Sequence, residues 1–176
     1  MSHLVDKLSG YARCHRDPRN LVTHMFGIPM ILLGTAALLS RPGLAAAPHL
    51  LNPAVLALVI LAAYYLRIDR RLGLVMTLLL VALALLGRGI ADMAMPIWLG
   101  LGLGLLLVGW VLQLWGHVFE SRKPAFLDDI QQLLIGPLFV VTDIGFRLGR
   151  NQRLREAIEH RAGRIRRRDA EARPGL

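Results

Sequence analysis

The sequence predicts an all-α integral membrane protein: a four-transmembrane-helix bundle with an additional interfacial or re-entrant helix and a basic C-terminal helical tail. Three observations carry that expectation. Hydrophobic residues make up 55% of the 176, mean hydropathy is +0.49, and the apolar residues are gathered into long Leu/Val/Ala/Gly runs. Four of these runs approach the length of a membrane span. Positive charge, finally, is distributed unevenly among the segments that connect them.

The spans are predicted at about residues 21–40, 50–66, 72–86 and 97–115. Asp17-Pro18 supplies an N-cap and a first helical residue for the first of them. A helix needs roughly 20 residues to cross the hydrocarbon core, so the middle two are short. They are joined by Arg67-Ile68-Asp69-Arg70-Arg71, a tight basic connection that reads as the turn of a transmembrane hairpin. In the fourth span Gly100, Gly102, Gly104 and Gly109 offer small surfaces for close helix packing. Residues 125–146 mix Phe126, Leu127, Ile130, Leu133 and Leu134 with Asp128, Asp129, Gln131, Gln132 and Asp143. That is too polar to cross alone and fits an interfacial or re-entrant segment, with Gly136-Pro137 expected to kink or break it. From Arg147 a polar, Arg-rich helix is expected to continue toward Pro174. The division is thus residues 1–148 in the membrane and 149–176 as a basic cytoplasmic tail.

Lys7, Arg13, Arg16 and Arg19 precede the first span, Arg67, Arg70 and Arg71 occupy the hairpin turn, and Arg122 and Lys123 follow the fourth span. The two opposite loops carry only Arg41 and Arg88. Four crossings with both termini cytoplasmic satisfy the positive-inside bias at every loop, and in a bacterial cell the inner membrane is the expected location. The net charge of +9 comes mostly from the tail, which has no aromatic residues for base stacking. Anionic membrane lipid is therefore the expected partner, and nucleic acid is not. Cys14 is the single cysteine, so no intrachain disulfide forms. The N-terminus stays polar to about residue 20 and shows no cleavable signal peptide. Nothing in the sequence dictates an oligomer.

Two polar clusters fall at the same predicted membrane face. Gln113, His117 and Glu120 share one face of the fourth span where it runs out into charge. Near the N-terminus stand Tyr11, His15, Asn20 and His24. Asn20 and His24 are one turn apart, but His15 lies nine residues before His24, about half a rotation away on a continuous helix. It can join them only if the chain turns before Pro18, which the residue before a proline favours. Ionisable groups at a span's end are costly unless used. Three histidines with a nearby carboxylate suit a divalent transition metal, including non-haem iron. In this reading His15, His24 and His117 are the ligands, and Glu120 is a ligand, a partner orienting His117 or a structural group. Asn20 and Gln113 fix imidazole tautomers or contact substrate. His160 is expected to be solvated, with folding back to the site as the alternative; Cys14 is a minor ligand candidate and otherwise a small apolar residue, and His3 and His49 are given no functional role. No Walker loop, nucleophile elbow, Cys-x-x-Cys, di-iron desaturase histidine box or ferritin-like Glu-x-x-His pair occurs.

Tyr11-x3-His15, Asp17-Pro18-x-Asn20-x3-His24 and Pro29, then Gly109-Trp110-x2-Gln113-x2-Gly116-His117-x-Phe119-Glu120-x-Arg122-x-Pro124-Ala125, stand in that order. With Asp128, Gln132, Pro137, Phe139 and Leu148-Gly149 downstream, the set resembles the small membrane family of the yeast 2-hydroxy-fatty-acid dioxygenase over nearly the whole chain. The resemblance implies an Fe(II)-dependent enzyme that uses O2 to shorten a long-chain 2-hydroxy fatty acid by one carbon (α-oxidation). It matches the family's essential histidines to His15, His24 and His117. In the mechanism read from these residues, a ferrous site engages the acid's carboxylate and 2-hydroxyl, with Glu120, Asn20 and Gln113 expected as the accompanying catalytic residues. Arg122 or Lys123 would steer the carboxylate or anchor at lipid phosphate. The alternative expectation is a non-enzymatic lipid-binding or scaffold protein with a structural metal site or none.

Overall fold

The computed structural model describes residues 2–42, 52–120 and 131–163, and among these every regular element is helical. In chain order they are α1 (Ser2–Cys14), α2 (Pro18–Ser40), α3 (Pro53–Ile68), α4 (Arg70–Ala91), α5 (Met95–Glu120), α6 (Gln131–Arg147) and α7 (Gln152–Ala162). They form two compact units, one of Met1–Met25 with Leu112–Leu176 and one of Phe26–Val111. The long helices α2 and α5 contribute residues to both.

Within Phe26–Val111 the α3–α4 hairpin is built on Asp69. Its backbone N–H closes α3 on the Tyr65 carbonyl (3.1 Å), and its Oδ1 accepts from the N–H groups of Arg71 and Leu72 (2.9 Å each) to open α4. One carboxylate thus satisfies donors that α4 would otherwise leave orphaned. At the other end of α3, Asn52 accepts from Val55 N–H (3.0 Å) and Pro53 takes the first helical position. The close approach of α2 and α5 uses two of the four glycines expected for it. A Cβ on Gly102 would meet the Leu38 side chain, and one on Gly109 would meet the Gly27 carbonyl at 2.8 Å. Gly100 and Gly104 have nothing within 4 Å of that position and face outward. Trp98 donates from its indole to the Ala37 carbonyl (2.8 Å) and lies under the Arg41 guanidinium (4.7 Å).

Among the described residues three helices, α2, α4 and α5, are long and apolar enough to cross a membrane, and the exposed Leu78 and Leu85 of α4 and Leu107 and Val111 of α5 are surface that lipid would solvate. Helix α3 is apolar but has 16 residues, against an expected span at 50–66. Helix α4 is longer than expected, 22 residues rather than the charge-free stretch 72–86, because Asp69 starts it early and Asp92 pairs with Arg88 at its end. Helices α6 and α7 pass the same test only as a pair bent by 120°.

In the other unit α1 packs against α6 and α7. Leu4, Val5, Leu8 and Tyr11 form its buried seam at helical spacing, and Leu154, Ile158 and Ala162 form that of α7. Asp6 pairs with Arg161 across the two helices. The segment expected at 125–146 is described only from Gln131, and its expected break does not occur. Helix α6 runs through Gly136-Pro137 with both residues buried. The chain turns instead at Gly149 (φ 75°), where Arg150 N–H reaches the Gly145 carbonyl (2.8 Å) and Gly149 N–H the Phe146 carbonyl (3.0 Å). Those two bonds close a Schellman motif, which a left-handed glycine permits at little cost. Helix α7 then ends at Gly163, and the expected continuation of the tail to Pro174 lies outside the described residues.

Candidate metal centre

Three imidazoles meet within the unit formed by the N-terminal segment and the chain from Leu112 onward. Helix α1 stops at Cys14 and α2 starts at Pro18, so His15 sits in a three-residue turn rather than on either helix. That turn removes the half-rotation that would separate His15 from His24 on a continuous helix. His24 comes from the second turn of α2 and His117 from the last turn of α5.

The ring centroids form a nearly equilateral triangle: His15–His24 4.9 Å, His15–His117 5.0 Å and His24–His117 5.1 Å. Each ring stands roughly edge-on to the others, at 68° to 81°. All three are buried, and one ligand nitrogen from each lies within 4.8 Å of the others. Two rings are held by the same device. His15 Nδ1 bonds the Tyr11 carbonyl (2.9 Å) and His24 Nδ1 the Asn20 carbonyl (2.9 Å), each four residues upstream. With Nδ1 as donor, Nε2 keeps its lone pair and is the nitrogen left to bind a metal. His117 Nδ1 is buried with no hydrogen-bond partner among the described residues. Burial, reinforced by the neighbouring His24 and opposed only in part by the Tyr11 carbonyl, pushes the His15 pKa down to about 3. The ring is therefore neutral at physiological pH, the form that binds metal.

Glu120, one turn beyond His117, is also buried, but its oxygens lie outside the group of mutually close ligand atoms. Oε1 accepts from the backbone N–H of Arg16 and of Asp17 (2.6 Å each) and from Asn20 Nδ2 (3.1 Å). Asn20 is fully buried; its carbonyl serves His24 and Thr23 Oγ1 (2.8 Å), while its Oδ1 has no partner among the described residues. Gln113 lies on the same buried seam of α5, its Oε1 likewise unpartnered among the described residues. The two carboxamide oxygens are hydrogen-bond acceptors available to a ligand or to water.

Three further contributors have no role assigned by sequence alone, although Tyr11 stands in the N-terminal polar cluster. Tyr11 stacks on His15 with centroids 3.8 Å apart and planes 1° from parallel, and Phe139 of α6 backs it at 4.9 Å. Burial raises the Tyr11 phenol above its ordinary pKa, so it stays protonated. Gly116 is the third: a Cβ there would collide with Thr23 Oγ1 and Asn20 Oδ1 and lie 3.1 Å from His24 Nδ1. The four-residue spacing Tyr11-x3-His15 and Asn20-x3-His24 was the available signal, since it puts a carbonyl one turn behind each ring. His160 is exposed on α7 and Cys14 is half-buried, and neither joins the group; His3 is exposed. His49, Arg122 and Lys123 lie outside the described residues.

The donor set fits a first-row divalent ion. Three imidazole nitrogens would hold such an ion and leave further positions for other ligands, a donor set suited to Fe(II), Zn(II) or Co(II).

Residues 1–148 match the family described as 2-hydroxy-palmitic acid dioxygenase Mpo1-like. The chain is 32% identical over 159 residues to the 2-hydroxy-palmitic acid dioxygenase MPO1 of Saccharomyces cerevisiae, covering 89% of this chain and 88% of the yeast protein. No solved structure matches it. Similarity over nearly the full length of both sequences, with all of α1 to α6 inside the family match, settles the relationship: the chain belongs to the 2-hydroxy-palmitic acid dioxygenase Mpo1-like family.

Proposed function

We propose that this protein is an Fe(II)-dependent dioxygenase that carries out α-oxidation of long-chain 2-hydroxy fatty acids to the one-carbon-shorter acid. The observation that carries the proposal is the buried triangle of His15, His24 and His117 in a chain related to a 2-hydroxy-palmitic acid dioxygenase. An Fe(II) ion, when bound, supplies the redox capacity to use O2 and open positions that accept oxygen ligands. In the reaction the C1–C2 bond is cleaved, C2 passes from the alcohol to the carboxyl level and C1 leaves as CO2, while O2 is the four-electron oxidant, so that hydroxy acid and O2 give the shortened acid, CO2 and water.

The chain's own residues do the rest. His15, His24 and His117 hold the ion with neutral donors, so its charge is left to be balanced by an anionic substrate head. The backbone carbonyls of Tyr11 and Asn20 orient two of the rings. Gln113 Oε1, a buried acceptor one turn from His117, would accept a hydrogen bond from the substrate's 2-hydroxyl. Tyr11, stacked on His15 and backed by the tilted Phe139 ring, would exclude water on the His15 side. Residues 1–148 form the membrane-embedded catalytic domain. A four-crossing arrangement with α3 as the short span and both termini cytoplasmic belongs to the same reading, in the bacterial inner membrane. Arg67, Arg70 and Arg71 in the α3–α4 turn support that orientation. A site at the ends of α2 and α5 suits a substrate whose head is wet and whose tail is lipid.

Metal analysis tests the proposal. Protein purified anaerobically is expected to hold iron near one per chain, and His15→Ala, His24→Ala and His117→Ala each to lose most of it. Stoichiometric iron retained in all three variants would sink the site.

A further inference from the structure

Resting on the metal-site reading above, we infer that Glu120 is a positioning residue: a single carboxylate oxygen ties the His15 turn and the start of α2 to the end of α5, and so sets the spacing of the three imidazoles. The three histidines stand on three different segments, the 15–17 turn, α2 and α5, and His117 is 93 residues beyond His24 in sequence. Something other than the local chain must fix their register. Glu120 follows His117 by three residues and shares its face of α5. Its Oε1 accepts from the N–H groups of Arg16 and Asp17, the two residues directly after His15. It also accepts from the Asn20 side chain, one turn before His24. One oxygen therefore contacts the immediate neighbours of both other ligands.

The physical chemistry favours a strong tie. The carboxylate is 8% exposed, so its bonds are little weakened by competing water, and bonds to an ionised acceptor are roughly twice as strong as neutral ones. Its negative charge also sits at the N-terminus of α2, where the helix dipole is positive and backbone donors lack intrahelical partners. An oxygen with three donors already around it, outside the ligand triangle, holds the cage and does not coordinate.

The variants separate reach from charge. Glu120→Gln keeps an acceptor oxygen at the same reach; Glu120→Ala removes it; Glu120→Asp keeps the charge one methylene short. Co(II) titration of the purified full chain in detergent, followed by its visible ligand-field spectrum, reads the metal arm. Glu120→Ala, or Glu120→Asp should the alanine variant fail to fold, is expected to weaken Co(II) binding roughly 10–100-fold. Glu120→Gln is expected to recover most of the affinity with the wild-type spectrum. Wild-type affinity in the alanine or aspartate variant would overturn the inference, as would a Gln spectrum showing a changed ligand set. Amide hydrogen exchange reads the tie without metal. Protection at Arg16 and Asp17 should be lost in Glu120→Ala or Glu120→Asp and kept in Glu120→Gln, with Leu8 and Gly109 unchanged in all. If the wild type binds no Co(II), the metal reading falls and exchange alone decides. Selective loss at Arg16 and Asp17 then upholds the tie, and equal exchange in wild type and variant overturns it.

Discussion

Close packing around the three imidazoles leaves no room for an added atom on the facing helix. Gly116 precedes His117, and a methyl group there would drive into Thr23 and Asn20 and push the start of α2 away from α5. Overpacking of this kind costs about 1–3 kcal/mol. Gly116→Ala is therefore expected to lower the thermal midpoint and to weaken metal binding together. Gly100→Ala, with nothing within 4 Å of its added carbon, is the matched control and should be neutral or slightly stabilising. Equal behaviour of the two variants in a paired melting and metal titration would contradict the packing account. The three histidines, which the fold brings together, could be picked out from the sequence because they stand at the ends of apolar spans. Which donors Glu120 would take could not be read there, since these come from Arg16 and Asp17, more than 100 residues away in sequence. Backbone N–H groups carry no sequence signature, so only the folded turn reveals them.

At the level of elements, α1 and the course of α6 were the parts the sequence concealed. Helix α1 has a buried seam of Leu4, Val5, Leu8 and Tyr11, but charged and polar residues between them give the segment the look of a solvated terminus. Its partner seam on α7 lies some 150 residues later, so the burial depends on a contact that periodicity alone does not specify. In α6, Pro137 sits in the helix interior and costs an intrahelical bond. Tertiary burial of Ile135 through Val140 outweighs that local penalty, and the break moves to Gly149, where a left-handed residue closes the helix. The α3–α4 hairpin, by contrast, was readable, because Asp69 between two arginine-bearing apolar runs is both a stop and a start signal. Replacing this cap with alanine is expected to cost about 1 kcal/mol. Asp69→Ala should lower thermal stability by that amount and leave metal content unchanged, with Asp69→Asn recovering most of the loss. Lost metal binding in Asp69→Ala at a temperature where the protein is folded would show that the hairpin acts on the site.

At the scale of the whole molecule the two units differ in character: Phe26–Val111 is largely apolar helix, and the other unit holds the three histidines. The three histidines come from the first 25 residues and from the chain after Leu112, and the proposed topology puts both chain ends on one side of the membrane. Reporter fusions at the C-terminus and in the 67–71 turn should both report the cytoplasm, and fusions in the loops after α2 and α4 should report the opposite side. A C-terminal reporter on the far side would break the topology. The central claim is the reaction itself. The most direct measurement incubates iron-loaded protein with 2-hydroxypalmitate and O2 and quantifies pentadecanoate by mass spectrometry, with His117→Ala alongside. The account predicts the shortened acid from the wild type and its loss in the variant; no shortened acid from iron-replete wild type, across a range of 2-hydroxy chain lengths, would contradict it.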